Sequence, residues 1–107
     1  MNFERVSISA ADGHAIPGFL LAQEAVRGGA LLVPPYGGGK EHMLGLAAAL
    51  AETGWAALSV DLCGHGENSA EIGTGMVQEV EASLTYLRRY GRTAAIGLSL
   101  GGRGQVL

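Results

Sequence analysis

Hydrophobic and polar positions first alternate and then run together along this chain. Val6, Ile8 and Ala10 point one way while Ser7 and Ser9 point the other, which predicts a half-buried strand over 3–10. Asp12-Gly13 is a hairpin signal. Residues 15–22 supply the return strand, and Pro17, which cannot donate to a ladder, places it near a sheet edge. Arg27-Gly28-Gly29 reads as a turn. The runs 30–33, 55–60 and 93–98 are continuously apolar or nearly so, the pattern of short strands buried on both faces of a parallel sheet.

Between these runs the period changes to that of a helix. Met43, Leu46, Ala47, Leu50 and Ala51 form one apolar face, and Gly54 is placed to end that helix. Val77, Val80, Leu84 and Leu87 form another, with Arg88 and Arg89 in its last turn and Gly91 as its cap. The order is β-β-β-α-β-α-β, which predicts an α/β domain: a mostly parallel sheet with helices on both faces.

Composition sharpens this picture. The chain has 107 residues, enough for one domain or part of one. With 48% hydrophobic and 16% charged residues it is too apolar for a disordered segment. Its net charge of −3 and lack of a basic cluster beyond Arg88-Arg89 argue against nucleic-acid binding. No apolar run approaches the roughly 18 residues of a membrane span, so no membrane partner is expected. One cysteine, Cys63, and an N-terminus without the apolar core of a secretion signal predict a cytoplasmic location. Glycine is in excess, at 18 residues. The clusters at 37–39, 64 and 66, and 97 to 104 each follow a strand, where α/β proteins place their site loops.

Gly97-Leu98-Ser99-Leu100-Gly101 is G-x-S-x-G after a buried strand. In such a strand–turn–helix elbow the serine hydroxyl stands out at the top of the sheet, and the flanking glycines make room for the tight turn. The backbone N–H of the next residue, Leu100, can donate to the oxyanion of a tetrahedral intermediate. Gly102 to Leu107 are placed to begin the helix.

With these residues the chain resembles the α/β-hydrolase superfamily over nearly its whole length. Residues 59–69 resemble the family loop D-x-x-G-H-G-x-S, with Asn68 at the usual serine position and Ser69 one place later. Residues 97–102 resemble the nucleophile elbow. Pro34-Pro35-Tyr36-Gly37-Gly38 stands where the family often has His-Gly followed by an oxyanion donor. The resemblance implies an α/β-hydrolase fold and an acyl-transfer enzyme with Ser99 as catalytic nucleophile. It implies oxyanion-hole N–H groups on Tyr36 and Leu100, and structural roles for Asp61, Gly64, His65, Gly66, Gly97 and Gly101. The substrate would be a small-molecule ester, thioester or amide, with no cofactor and no metal.

Other readings are weaker on the residues themselves. Gly-Gly-Gly-Lys-Glu (37–41) lacks the leading glycine and the Ser/Thr of a phosphate loop. Residues 64–69 resemble a dinucleotide fingerprint, but Ser69 replaces its third glycine. A non-catalytic α/β binding domain is the main alternative, and a dinucleotide-binding domain ranks below it. His14, beside the hairpin turn, is expected in solvent, and Cys63 as a packed loop thiol. His42, just before a helix, is expected to cap it or lie exposed.

In the superfamily an acid and then a histidine follow the nucleophile, and neither residue type occurs after Ser99. The chain therefore reads as the N-terminal part (1–107) of a single α/β-hydrolase domain, C-terminally incomplete. It is expected to be inactive alone and open to a complementing C-terminal half. The strand at 93–98 is expected to lack a neighbour on its far side.

Overall fold

A computed structural model describes residues 1–33, 40–62, 76–98 and 104–106. Strands β1 (Asn2–Ser9) and β2 (Ala15–Ala22) form an antiparallel hairpin in which Ile8 faces Ile16 and Val6 faces Gly18. Its turn is held by Gly13 N–H donating to the Ala10 carbonyl, with Gly13 in the left-handed region at φ +91°. That is a conformation glycine adopts without strain. Strand β3 (Gly28–Val33) leads through a 3-10 turn (Lys40–Met43) into helix α1 (Leu44–Glu52). Strand β4 (Trp55–Val60), helix α2 (Met76–Leu87) with a 3-10 extension (Arg88–Tyr90), and strand β5 (Arg92–Leu98) follow.

The sheet order is β1-β2-β4-β3-β5-β6, where β6 is Gly104–Val106. The central strands β4, β3 and β5 are parallel, and antiparallel strands flank them on both sides. β2 lies one strand in from the edge, which accords with Pro17 at the end of its ladder with β4.

Alternate residues of each strand enter opposite cores, because successive side chains point to opposite faces. Ile16, Leu20, Leu31, Leu58 and Val60 pack with Leu87, Val80 and Leu84 of α2. Phe19, Leu21, Leu32 and Ala57 pack with Met43 of the 3-10 turn and Ala47 and Ala51 of α1. The sheet is thus covered by one helix on each face. Ala47 and Ala51 are fully buried, and their short side chains let α1 approach the sheet closely.

Four details depart from the sequence reading. Gly28 and Gly29 belong to β3 rather than to a turn, and they are pressed there by neighbours. A Cβ on Gly28 would lie 2.6 Å from the Arg92 carbonyl oxygen, and one on Gly29 would lie 2.8 Å from Leu87 Cβ. The buried stripe of α2 runs through Glu79, Ser83 and Leu87, while Val77, expected in it, is exposed. In α1, Leu46 is 39% exposed rather than buried. Last, Gly104–Val106 forms a strand and not the start of a helix, and it pairs antiparallel with β5. The far side of β5 therefore has a neighbour: the ladder satisfies backbone groups that an open edge would leave unpaired.

Candidate functional site

The register of the three parallel strands sets their carboxyl ends level. Leu32 pairs with Ser59 on one side and Ile96 on the other, and Val33 pairs with Gly97. The chain leaves β3, β4 and β5 at one edge, at residues 34, 61 and 99. From β3 it goes to α1 on one face of the sheet, and from the adjacent β4 it goes to α2 on the other. Such a divergence between neighbouring parallel strands leaves a crevice outside their carboxyl ends, where ligands bind in open α/β sheets.

Two of the residues singled out from the sequence are described at this edge. Gly97 occupies the penultimate position of β5, opposite Val33. Asp61 directly follows β4 and is fully buried, and its N–H donates to the Pro17 carbonyl at 2.9 Å. That bond extends the β2–β4 ladder by one step and anchors the exit of the following segment. Ser99, Leu100, Gly101, Tyr36, Gly64, His65 and Gly66 lie outside the described residues. Among the described residues, no group of acidic, histidine or cysteine side chains is arranged to hold a metal ion.

The structure also assembles a polar cluster that the sequence reading passed over. His14 lies between two carboxylates: Nε2 is 2.7 Å from Glu79 Oε2, and Nδ1 contacts Asp12 Oδ1. The His14 N–H donates to the same Asp12 oxygen at 3.0 Å. His14 is thus partly buried and doubly engaged, a correction to its expected place in solvent. Glu79 is fully buried in the first turn of α2, and the Ser83 hydroxyl donates to its backbone carbonyl. The hydrogen bond to Glu79, then that to Asp12, raises the His14 pKa above its ordinary value. The backbone and side-chain hydrogen bonds from His14 lower that of Asp12. A signal was present in Glu79 and Ser83, which stand four apart beside the apolar stripe of α2.

None of the described helices is long and apolar enough to cross a membrane, which leaves β-barrels unaddressed. No family model and no curated protein matches the chain. Solved structures do. An esterase from Pyrococcus furiosus, Pf2001, superposes with a TM-score of 0.78 at 17% identity, over 91% of this chain and 42% of its own. The α/β hydrolase GrgF from Penicillium sp. sh18 gives 0.81 at 18% identity, over 92% and 38%. An epoxide hydrolase from Vigna radiata gives 0.75 at 16% identity, over 92% and 31%. The chain spans about two fifths or less of the length of these neighbours. With its hairpin, three level parallel strands and a helix on each face of the sheet, the chain has the α/β-hydrolase fold.

Proposed function

We propose that residues 1–107 are the nucleophile-bearing part of a serine hydrolase that cleaves an ester, thioester or amide. The observation that carries this reading is the common edge. The segments containing Tyr36, His65 and Ser99 all leave adjacent parallel strands at the same level. The sequence Gly97-Leu98-Ser99-Leu100-Gly101 starts inside the last of these strands.

In the proposed reaction the Ser99 hydroxyl oxygen attacks the substrate carbonyl carbon, and its proton passes to a histidine base supplied from outside residues 1–107. N–H groups of Leu100 and Tyr36 stabilise the oxyanion. The base returns the proton to the leaving alcohol, thiol or amine, and an acyl-enzyme forms. Water, deprotonated by the same base, then releases the acid and restores the serine. Asp61 serves in this scheme by fixing the exit of the 63–75 segment, not as the triad acid. No cofactor or metal enters it.

Turnover of a p-nitrophenyl ester by the hydrolase that contains these residues tests the proposal. Ser99→Ala should reduce it by several orders of magnitude, because removing a triad member removes transition-state stabilisation directly. Unchanged turnover would exclude Ser99. One feature favours a second reading, a non-catalytic α/β binding module: Gly104–Val106 is an antiparallel strand where an elbow is followed by a helix. That reading expects no serine-dependent turnover from any form of the protein.

A further inference from the structure

We propose that Asp12, His14 and Glu79 form a proton-dependent clasp that fastens the hairpin turn to the first turn of α2, making the site edge of the sheet sensitive to pH. The clasp itself rests on the described residues alone, and its bearing on catalysis rests on the function proposed above.

The chemistry of the acceptors carries the argument. An ionised carboxylate only accepts hydrogen bonds, so each ring nitrogen facing one must carry a hydrogen. Both His14 nitrogens face carboxylate oxygens, Nε2 that of Glu79 and Nδ1 that of Asp12. A neutral imidazole has one N–H and can serve one of them. The arrangement therefore calls for the imidazolium, and loss of one proton turns one of the two contacts into an apposition of lone pairs. Among the described residues, the charged groups in contact with His14 are Asp12 of the hairpin and Glu79 of α2, both acidic. The raised His14 pKa has the direction this geometry requires.

Position gives the clasp its consequence. β2 runs antiparallel to β4, so the hairpin turn stands at the carboxyl end of β4, beside Asp61. α2 begins where the segment that follows β4 returns to the sheet. His14 thus ties together the two structural elements that flank that segment. Ser9, Ala10 and Ala11 of the hairpin and Gln78, Glu81 and Ala82 of α2 line an open cavity of about 320 Å³ between them. Beside this cavity Ile8 and Ala10 of the hairpin share an apolar cluster with Val80 and Ala82 of α2, and the ion pairs add a proton-dependent tie to that packing.

Long-range proton–nitrogen spectra of the histidine-labelled 107-residue chain test this, with His14→Gln identifying the His14 signals. His14 should titrate with a midpoint above the ordinary value of about 6.5. Glu79→Gln should bring that midpoint down. Urea midpoints supply a second readout. The stabilisation from His14 is complete below the ordinary midpoint and is lost as pH rises through the folded-state one. Wild type should therefore weaken more steeply than His14→Gln as pH rises from the ordinary midpoint through the folded-state one. Should His14→Gln fail to fold, the wild-type titration and Glu79→Gln still decide. A His14 midpoint at or below the ordinary value, or identical pH profiles in wild type and variant, would overturn the clasp.

Discussion

Gly29→Ala adds one methyl group at the point where α2 ends against β3. That methyl would lie 2.8 Å from Leu87 Cβ, 3.0 Å from Leu87 Cδ2 and 3.1 Å from the Leu87 carbonyl oxygen. Carbon atoms rest at about 3.5–4.0 Å, so the helix end must withdraw by several tenths of an ångström. Leu87 is fully buried, and the closest atom is its Cβ, which cannot swing aside as a side-chain tip can. Overpacking of this kind costs about 1–3 kcal/mol. The narrower unfolded ensemble of alanine offsets about 0.4–1 kcal/mol of it. A net loss of up to about 2.6 kcal/mol follows. At roughly 4 °C per kcal/mol for a domain of this size, Tm should fall by up to about 10 °C. Gly45→Ala is the matched control: the same methyl, in a helix, with nothing within 4 Å. It should raise stability by about 0.5–1 kcal/mol. Thermal and urea melts followed by circular dichroism measure both. A Gly29→Ala variant as stable as Gly45→Ala would refute the close approach of α2 to β3.

Gly54→Ala should destabilise by about 1–2 kcal/mol in urea melts, because Gly54 has φ +99° and alanine is strained there. Leu31→Ala, at a fully buried position of the central strand, should lower stability by about 2–5 kcal/mol. Leu46→Ala, at 39% exposure, should cost clearly less, although the two residues look equally apolar in the sequence. Tyr36→Pro, which removes the proposed backbone N–H donor, should reduce kcat of the hydrolase by about 10²–10³-fold.

The elements most legible in the sequence were those whose pattern answers to one strong constraint. Residues 55–60 are apolar because β4 is covered on both faces, and they form the strand at those bounds. Gly54 and Gly91 marked helix ends because both need φ near +100°, which few other residues adopt. Gly28 and Gly29 were misread because pairs of glycines usually serve turns. Here they serve contacts with Trp55, Leu87 and Arg92, residues 27 to 64 positions away, and local composition carries no trace of those. In the α2 stripe Val80, Leu84 and Leu87 pack inward as expected, while Val77 is exposed and Glu79 and Ser83 are buried. A buried Glu79 is acceptable only with a partner, and one such partner, His14, stands 65 positions earlier. Gly104–Val106 was expected in a helix by resemblance, while in the fold it completes an edge. For the candidate site, the glycine clusters after 33, 60 and 98 located the edge, and Asp61 is buried there. The chemistry proposed for that edge rests on residues outside the described ones, Ser99 above all.

Mapping the adduct of a fluorophosphonate probe tests the central claim most directly. The hydrolase containing this chain is labelled, digested with trypsin and sequenced by mass spectrometry. Cleavage after Arg92 and Arg103 releases residues 93–103, whose hydroxyl groups are those of Thr93 and Ser99. A single adduct on Ser99 is expected, absent from Ser99→Ala. An adduct on any other residue, in an enzyme that still turns over esters, would contradict it.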